Sequence, residues 1–221
     1  MKEYLSRFSY SLRKYPKIKK KRIFIIGFNK TATRTIHYFF KNNGLESIHW
    51  DNNNLVIHFE YNLKNNLPLL GPRRVFNRQI NSDCLYSDAI VFSDITYNLW
   101  GKDPKDYYKI LDKQYPESKF IFNYRDVNDW IKSRSNHGKL LQEHLLFYSC
   151  SNFDELKNVW KKLFESHFKE CKEYFKKRKA DFLEFNIDED GPEKICNFLK
   201  DYYPNLNINK WRYRDKKSKK E

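Results

Sequence analysis

The chain has 221 residues, 40% hydrophobic and 18% aromatic, which suits one domain with a sizeable core and excludes disorder through most of its length. A formal net charge of +15 implies an anionic partner such as nucleic acid, a membrane face, an acidic glycan or a phosphorylated cofactor; the plainer reading is a solvated, lysine-rich surface. No apolar run of about eighteen residues exists and the N-terminus lacks the apolar core of a secretion signal, so a soluble, cytoplasmic protein is expected.

Residues 1–20 form a basic, aromatic lead-in with weak helical spacing at Leu5, Phe8 and Leu12. The apolar run from Arg22 to Gly27 fits a strand covered on both faces, as in a parallel sheet. Ile36, Phe39 and Phe40 then follow helical spacing, and Asn43-Gly44 ends that helix. "LESIHW" suits a second short strand. Residues 51–72, rich in Asn and holding Pro68, Gly71 and Pro72, read as mostly loop, with a short helix in "RRVFNRQIN". "DAIVFSD" is a third strand, "DPKDYYKILDKQYP" a helix with a proline-marked start, and "SKFIFNY" a fourth strand. "DVNDWIKS" opens a helix whose first turn carries acids that suit the dipole.

The longest helix is expected over 152–177, where Leu156, Trp160, Leu163, Phe164, His167, Phe168, Cys171 and Phe175 recur at three and four, with Ser151 and Asp154 as a capping box. "ADFLEFN" is a fifth strand, and "GPEKICNFLKDYYP" a final helix with Pro192 in its first turn. Strands alternating with helices predict an α/β domain over 21–205, with one parallel sheet of about five strands and helices on both faces. Residues 206–221 read as a basic, disordered tail. Cys84, Cys150, Cys171 and Cys196 are scattered, which suits free thiols, and the six histidines form no metal-binding spacing.

Ligands of such sheets sit at the carboxyl ends of the strands. After the first strand, "NKTATRT" supplies Asn29, Lys30, Thr31, Ala32, Thr33, Arg34 and Thr35. Backbone N–H groups of a strand–loop–helix turn point at one spot and form an anion site backed by the helix dipole. A nucleoside-triphosphatase loop needs GxxxxGK[ST], with the Ser/Thr on magnesium. Here Lys30 stands three residues after Gly27 and no second glycine follows, so the loop suits an anion without that metal-holding geometry. The plainer alternative is Thr31 or Thr33 acting only as a helix cap. Arg125 ends the fourth strand, and Ser133 lies eight residues on, roughly 10–12 Å along a helix. A long arginine reaching back along the helix would let both groups meet one phosphate; the plainer and commoner alternative is a surface arginine beside a solvent-facing serine.

These two stretches resemble sulfotransferases. Lys30 to Thr35 is similar to their 5′-phosphosulfate loop, usually KTGTTS or KSGTTW, and Arg125 with Ser133 is similar to their 3′-phosphate signature. "YPESKFIFNYRDVNDWIKS" follows the family's pattern over its length, and "HFKECKEYFKKRKADFLEFNIDEDGPEKICNFL" resembles the C-terminal half of the short bacterial branch. The resemblance implies a three-layer P-loop-type α/β fold and 3′-phosphoadenylyl sulfate (PAPS) as donor, leaving adenosine 3′,5′-bisphosphate (PAP). It assigns Lys30, Thr31, Thr33, Arg34 and Thr35 to the phosphosulfate, and Arg125 and Ser133 to the 3′-phosphate. Ala32 replaces the usual glycine, so the loop is expected to take a Cβ without positive φ. Arg34 replaces a usual threonine. The C-terminal basic-glycine element of the cytosolic branch has no clear counterpart.

Sulfuryl transfer shares the in-line physics of phosphoryl transfer, so the protein positions partners and stabilises charge. Lys30 is expected on the leaving phosphate, and no metal is expected. Asp94 in "IVFSDIT" is the leading base candidate, with a turn-capping bond to Thr96 as its plainer role, and His49 in "SIHWD" is the second candidate. His167 and Trp130 read as packing. The acceptor is expected to be a hydroxyl of a glycan, lipid or small molecule, with no nucleic-acid partner. Two alternatives remain at this level: a non-catalytic basic protein that binds anions or nucleic acid, and a nucleotide or small-molecule kinase.

Overall fold

A computed structural model describes residues 20–71 and 86–213. The helix expected in "RRVFNRQIN", Cys84, nearly all of the N-terminal lead-in and the last eight residues lie outside these segments.

Five parallel strands form one sheet: β1 (Ile23–Ile25), β2 (Ser47–His49), β3 (Val91–Ser93), β4 (Lys119–Tyr124) and β5 (Phe182–Asn186), in spatial order β2-β3-β1-β4-β5. β1 lies at the centre, with Phe24 opposite Phe92 on one side and Phe120 on the other. Seven helices are described: α1 (Thr33–Asn42), α2 (Asn54–Lys64), α3 (Tyr108–Gln114), α4 (Val127–Ser135), α5 (Gly138–Phe147), α6 (Phe153–Tyr174) and α7 (Pro192–Leu199).

The continuous apolar run of β1 serves both faces because alternate side chains point to opposite sides. Phe24 and Ile26 join Phe92, Phe120 and Phe122 against Leu55, Phe59, Leu111 and Cys171 of α2, α3 and α6. Ile23 and Ile25 join Val91, Ile121 and Phe185 against Ile36, Phe39 and Phe40 of α1 and Ile195 and Leu199 of α7. A third cluster caps the carboxyl edge of the sheet: Phe28 meets Trp130 and Ile131 of α4, Leu140 of α5 and Leu156, Trp160 and Phe164 of α6. The first turn beyond β1 is therefore bedded on aromatic rings.

Several expectations are corrected. Residues 51–64 are a 3-10 turn and helix α2, because Leu55, Val56, His58, Phe59 and Asn62 bury one face despite the asparagine-rich composition. Residues 138–147 form α5, an element for which the sequence reading had no helix. The cap of α6 is Asn152, which accepts from the Glu155 N–H at 3.0 Å, while Glu155 accepts from the Ser151 N–H at 2.8 Å. The box thus uses a pair one residue later than Ser151 and Asp154. Packing also continues past residue 206, where the tail was expected. Trp211 is buried, with its ring 5.3 Å from Phe39 and 6.0 Å from Phe185.

Candidate active site

The loop after β1 is held by one side chain from the next strand. Asn123 of β4 accepts from the Gly27 N–H at 3.0 Å and donates to the Thr31 carbonyl and hydroxyl, each at 2.6 Å. The Thr31 hydroxyl in turn donates to the Phe28 carbonyl, and the Trp130 indole donates to the Asn29 carbonyl at 2.9 Å. A Cβ on Gly27 would sit 1.9 Å from the Asn123 carbonyl oxygen, so glycine is required by close approach.

The loop turns through left-handed residues, Lys30 at φ 65° and Ala32 at φ 59°. Ala32 therefore departs from the expectation of a negative φ. It takes the usual glycine conformation with a Cβ attached, a strain of about 1–2 kcal/mol that the surrounding bonds hold in place. Ala32 is also the N-cap of α1, and it makes no side-chain cap bond, so neither Thr31 nor Thr33 fills the capping role that was their plainer alternative. The first turn of α1 contains no acid and carries Arg34. By contrast, α4 and α6 have capping side chains, from Asp126 and Asn152, and acidic first turns. A helix start without a side-chain cap, facing Lys30 and Arg34, is electrostatically suited to an anion. Thr31, Thr33 and Thr35 are buried, Arg34 is exposed and Lys30 is intermediate.

Arg125 leaves the end of β4. Since Ile25 lies opposite Ile121 and Gly27 contacts Asn123, residues 30 and 125 leave neighbouring strands at one edge, with strands about 4.8 Å apart. Arg125 Nη2 donates to Asp188 Oδ1 at 3.1 Å, and its buried Nε has no hydrogen-bond partner among the described residues. Ser133 sits on the following helix, α4, and is partly buried.

On the other side of the loop, the ends of β2 and β3 bring His49 and Asp94 together. His49 Nε2 lies 3.7 Å from Asp94 Oδ2, and His49 Nδ1 lies 3.1 Å from the Ser93 hydroxyl. At 3.7 Å the two atoms make no direct hydrogen bond, and a hydroxyl seated beside the pair can donate to either. A doubly protonated His49 would face two acceptors, Ser93 and Asp94. Asp94 also accepts from the Thr96 hydroxyl at 2.7 Å, so its turn-capping role is present as well. Asp94 has φ 53°, and Trp50, Asp51, Asn52 and Asn53 all have positive φ, an uncommon run directly after His49. His37, stacked 5.4 Å from His49, is held down to about 3 by burial, with His49, Lys41 and Arg34 adding repulsion.

Three supporting features were not found from the sequence. Asn123 is the first; its only signal is a polar residue directly after the apolar run Phe120–Phe122 in β4. The second is a relay behind the loop. Asn29 approaches Asn98 Oδ1 at 3.5 Å, His144 Nε2 reaches the same oxygen at 3.2 Å, and the Trp160 indole donates to His144 Nδ1 at 3.0 Å. The Trp160 bond makes Nδ1 the acceptor, so His144 is the neutral tautomer that donates from Nε2. Burial, with the Arg134 cation second, holds it down to about 3. The third is Arg134, fully buried with its guanidinium 4.6 Å from both Trp130 and Trp160. Burial lowers it to about 10, opposed by Asp103, so it remains a cation beneath the site at neutral pH. His167 and Trp130 are buried as expected, and each also makes a bond: His167 Nε2 to the Ile26 carbonyl at 2.8 Å, and Trp130 to Asn29.

The described residues hold no cluster of three His, Cys, Asp or Glu that could bind a metal ion, and no helix among them is long and apolar enough to cross a membrane. No curated protein matches the chain. The sulfotransferase domain family matches residues 22–163, which run from β1 into α6 and include the loop, the His49–Asp94 pair and the Arg125–Ser133 segment. On that match over well more than half of its length, together with the parallel five-stranded sheet, the chain belongs to the sulfotransferase family of transferases.

Proposed function

We propose that the protein transfers a sulfuryl group from PAPS to a hydroxyl of a glycan, lipid or small-molecule acceptor. The observation that carries the reading is the convergence at one sheet edge. The strained cationic loop of β1 and Arg125 of β4 stand on one side, and the His49–Asp94 pair stands at the adjoining ends of β2 and β3. The donor supplies the activated sulfuryl group.

The residues divide the work as follows. The first-turn N–H groups of α1, with Lys30, Thr31, Thr33, Arg34 and Thr35, hold the 5′-phosphosulfate and offset the charge that builds on the leaving phosphate. Arg125 and Ser133 hold the 3′-phosphate at the β4 side. The acceptor oxygen forms a bond to sulfur as the bond from sulfur to the bridging phosphate oxygen breaks. The acceptor's proton passes to the His49–Asp94 pair, with Ser93 fixing the ring. Arg134 contributes a fixed positive charge from below.

The test is transfer of labelled sulfuryl from PAPS to a panel of hydroxyl acceptors. His49→Ala or Asp94→Asn should lower turnover about 10²–10⁴-fold with donor affinity retained. Turnover that survives both substitutions would refute the assignment of the base.

A further inference from the structure

Helix α1 packs on the sheet mainly through apolar side chains, with Ile36, Phe39 and Phe40 against Ile25 and Val91. His37 is buried among them. A buried imidazole needs polar partners, and those of His37 lie on β2. Its Nδ1 is 2.8 Å from the Ser47 hydroxyl, and its ring stacks on His49 with 5.4 Å between centres and 29° between planes. Ser47 and His49 are two residues apart in a strand, so they point to the same face. Ile48 between them joins the core on the opposite face. One residue of α1 therefore engages both polar side chains that β2 turns toward it.

His49 is thus held at two places. His37 lies against its ring, and at the edge His49 Nδ1 is 3.1 Å from the Ser93 hydroxyl. That hydroxyl donates to the Ile48 carbonyl at 3.3 Å, so its oxygen is left to accept from His49 and the ring carries its proton on Nδ1. Nε2 then keeps a lone pair, 3.7 Å from Asp94 Oδ2. A proton taken up at Nε2 creates an imidazolium that the Asp94 carboxylate stabilises. Burial, with repulsion from His49, Lys41 and Arg34, holds His37 down to about 3, so it meets His49 as a neutral ring that does not oppose this charge.

His37 also joins this mount to the proposed donor site. It follows Thr33 by four residues, so both lie on one face of α1, one turn apart. The helix whose start is proposed to hold the phosphosulfate is therefore the helix that steadies the base.

We infer that His37 is a positioning residue for the transfer: anchored by Ser47, it fixes the ring plane of His49 so that Nε2, and not Nδ1, is the atom presented to the acceptor hydroxyl. The inference rests on the reading of His49 as the base.

The experiment is a long-range 15N–1H correlation spectrum of the full chain labelled at its six histidines, above neutral pH, with His49→Ala identifying the signals of that ring. Wild-type His49 should be the single tautomer protonated at Nδ1. His37→Ala should shift it toward a mixture of both tautomers, and His37→Phe, which keeps a ring against His49, should restore most of the wild-type pattern. In the transfer assay His37→Ala should lower kcat by about 10²-fold, with the melting shift by PAP retained and the Phe variant recovering most of the loss. Should His37→Ala fail to melt cooperatively, Ser47→Ala removes only the anchor and should show the same drift to a smaller extent. A wild-type His49 protonated at Nε2 overturns the inference, as do His49 signals or a kcat that the substitutions leave unchanged. Equal loss in the Ala and Phe variants also overturns it, because the stacked ring would then not be what acts. Absence of a PAP melting shift in wild type would sink the sulfotransferase reading while leaving the tautomer result in place.

Discussion

Asn123→Ala is the most informative single perturbation of the loop. The side chain makes three buried hydrogen bonds, at 3.0, 2.6 and 2.6 Å, to Gly27 and Thr31. At about 0.5–1.5 kcal/mol net for each, their loss should destabilise the fold by about 2–4 kcal/mol. The loop loses its only described tether to β4 through a side chain, so the left-handed turn at Lys30 and Ala32 should relax and PAP affinity should fall by at least tenfold. Asn123→Asp separates geometry from charge. It keeps an acceptor for the Gly27 N–H, but it presents a carboxylate to the Thr31 carbonyl beside an anion site. It should bind PAP more weakly than Asn123→Ala, even though its shape is closer to wild type. Urea unfolding reads the stability and calorimetry reads the affinity. A stability loss under about 0.5 kcal/mol for Asn123→Ala, with unchanged PAP binding, would refute the tether.

The contact of Arg125 with Asp188 competes with a phosphate for one guanidinium, so Asp188→Asn should tighten PAP binding severalfold; weaker binding would make Asp188 a positioning group. Acid should destabilise the fold through its buried histidines. His37 and His144 are held down to about 3 and His167 to about 4 by burial, below the ordinary value near 6.5. As pH falls below about 6.5 the unfolded chain takes up protons that the folded chain refuses, so stability should drop by up to about 1.4 kcal/mol per histidine per pH unit. Urea midpoints at pH 7 and 5 check this: His144→Gln should flatten the dependence, and a midpoint unchanged between the two pH values would contradict it.

The sheet was legible because each central strand is a run of apolar residues bounded by turn residues, and burial on both faces leaves that mark. The positions of Lys30 and Arg125 beyond the ends of β1 and β4 were legible because each follows closely on an apolar strand run. α2 was hidden because asparagines dominate its sequence while Leu55, Val56 and Phe59 do the burying. Gly138 at its start and a weak apolar pattern hid α5. The pairing of His49 with Asp94 joins residues 45 positions apart, and only the β2–β3 register, with His49 opposite Ser93, brings them together. Ala32 shows the limit of residue rules at such a site. A left-handed alanine is unfavourable locally and persists because Asn123, Thr31 and Trp130 fix the turn around it.

The most direct measurement is PAP binding by thermal shift and calorimetry, for wild type, Lys30→Ala and Arg125→Ala. Wild type should be stabilised by about 2.7 kcal/mol at a hundredfold its dissociation constant, and each variant should lose most of that gain. No stabilisation of wild type, a larger one from ATP with magnesium, or equal binding by both variants would contradict a site in which one doubly phosphorylated nucleotide bridges β1 and β4.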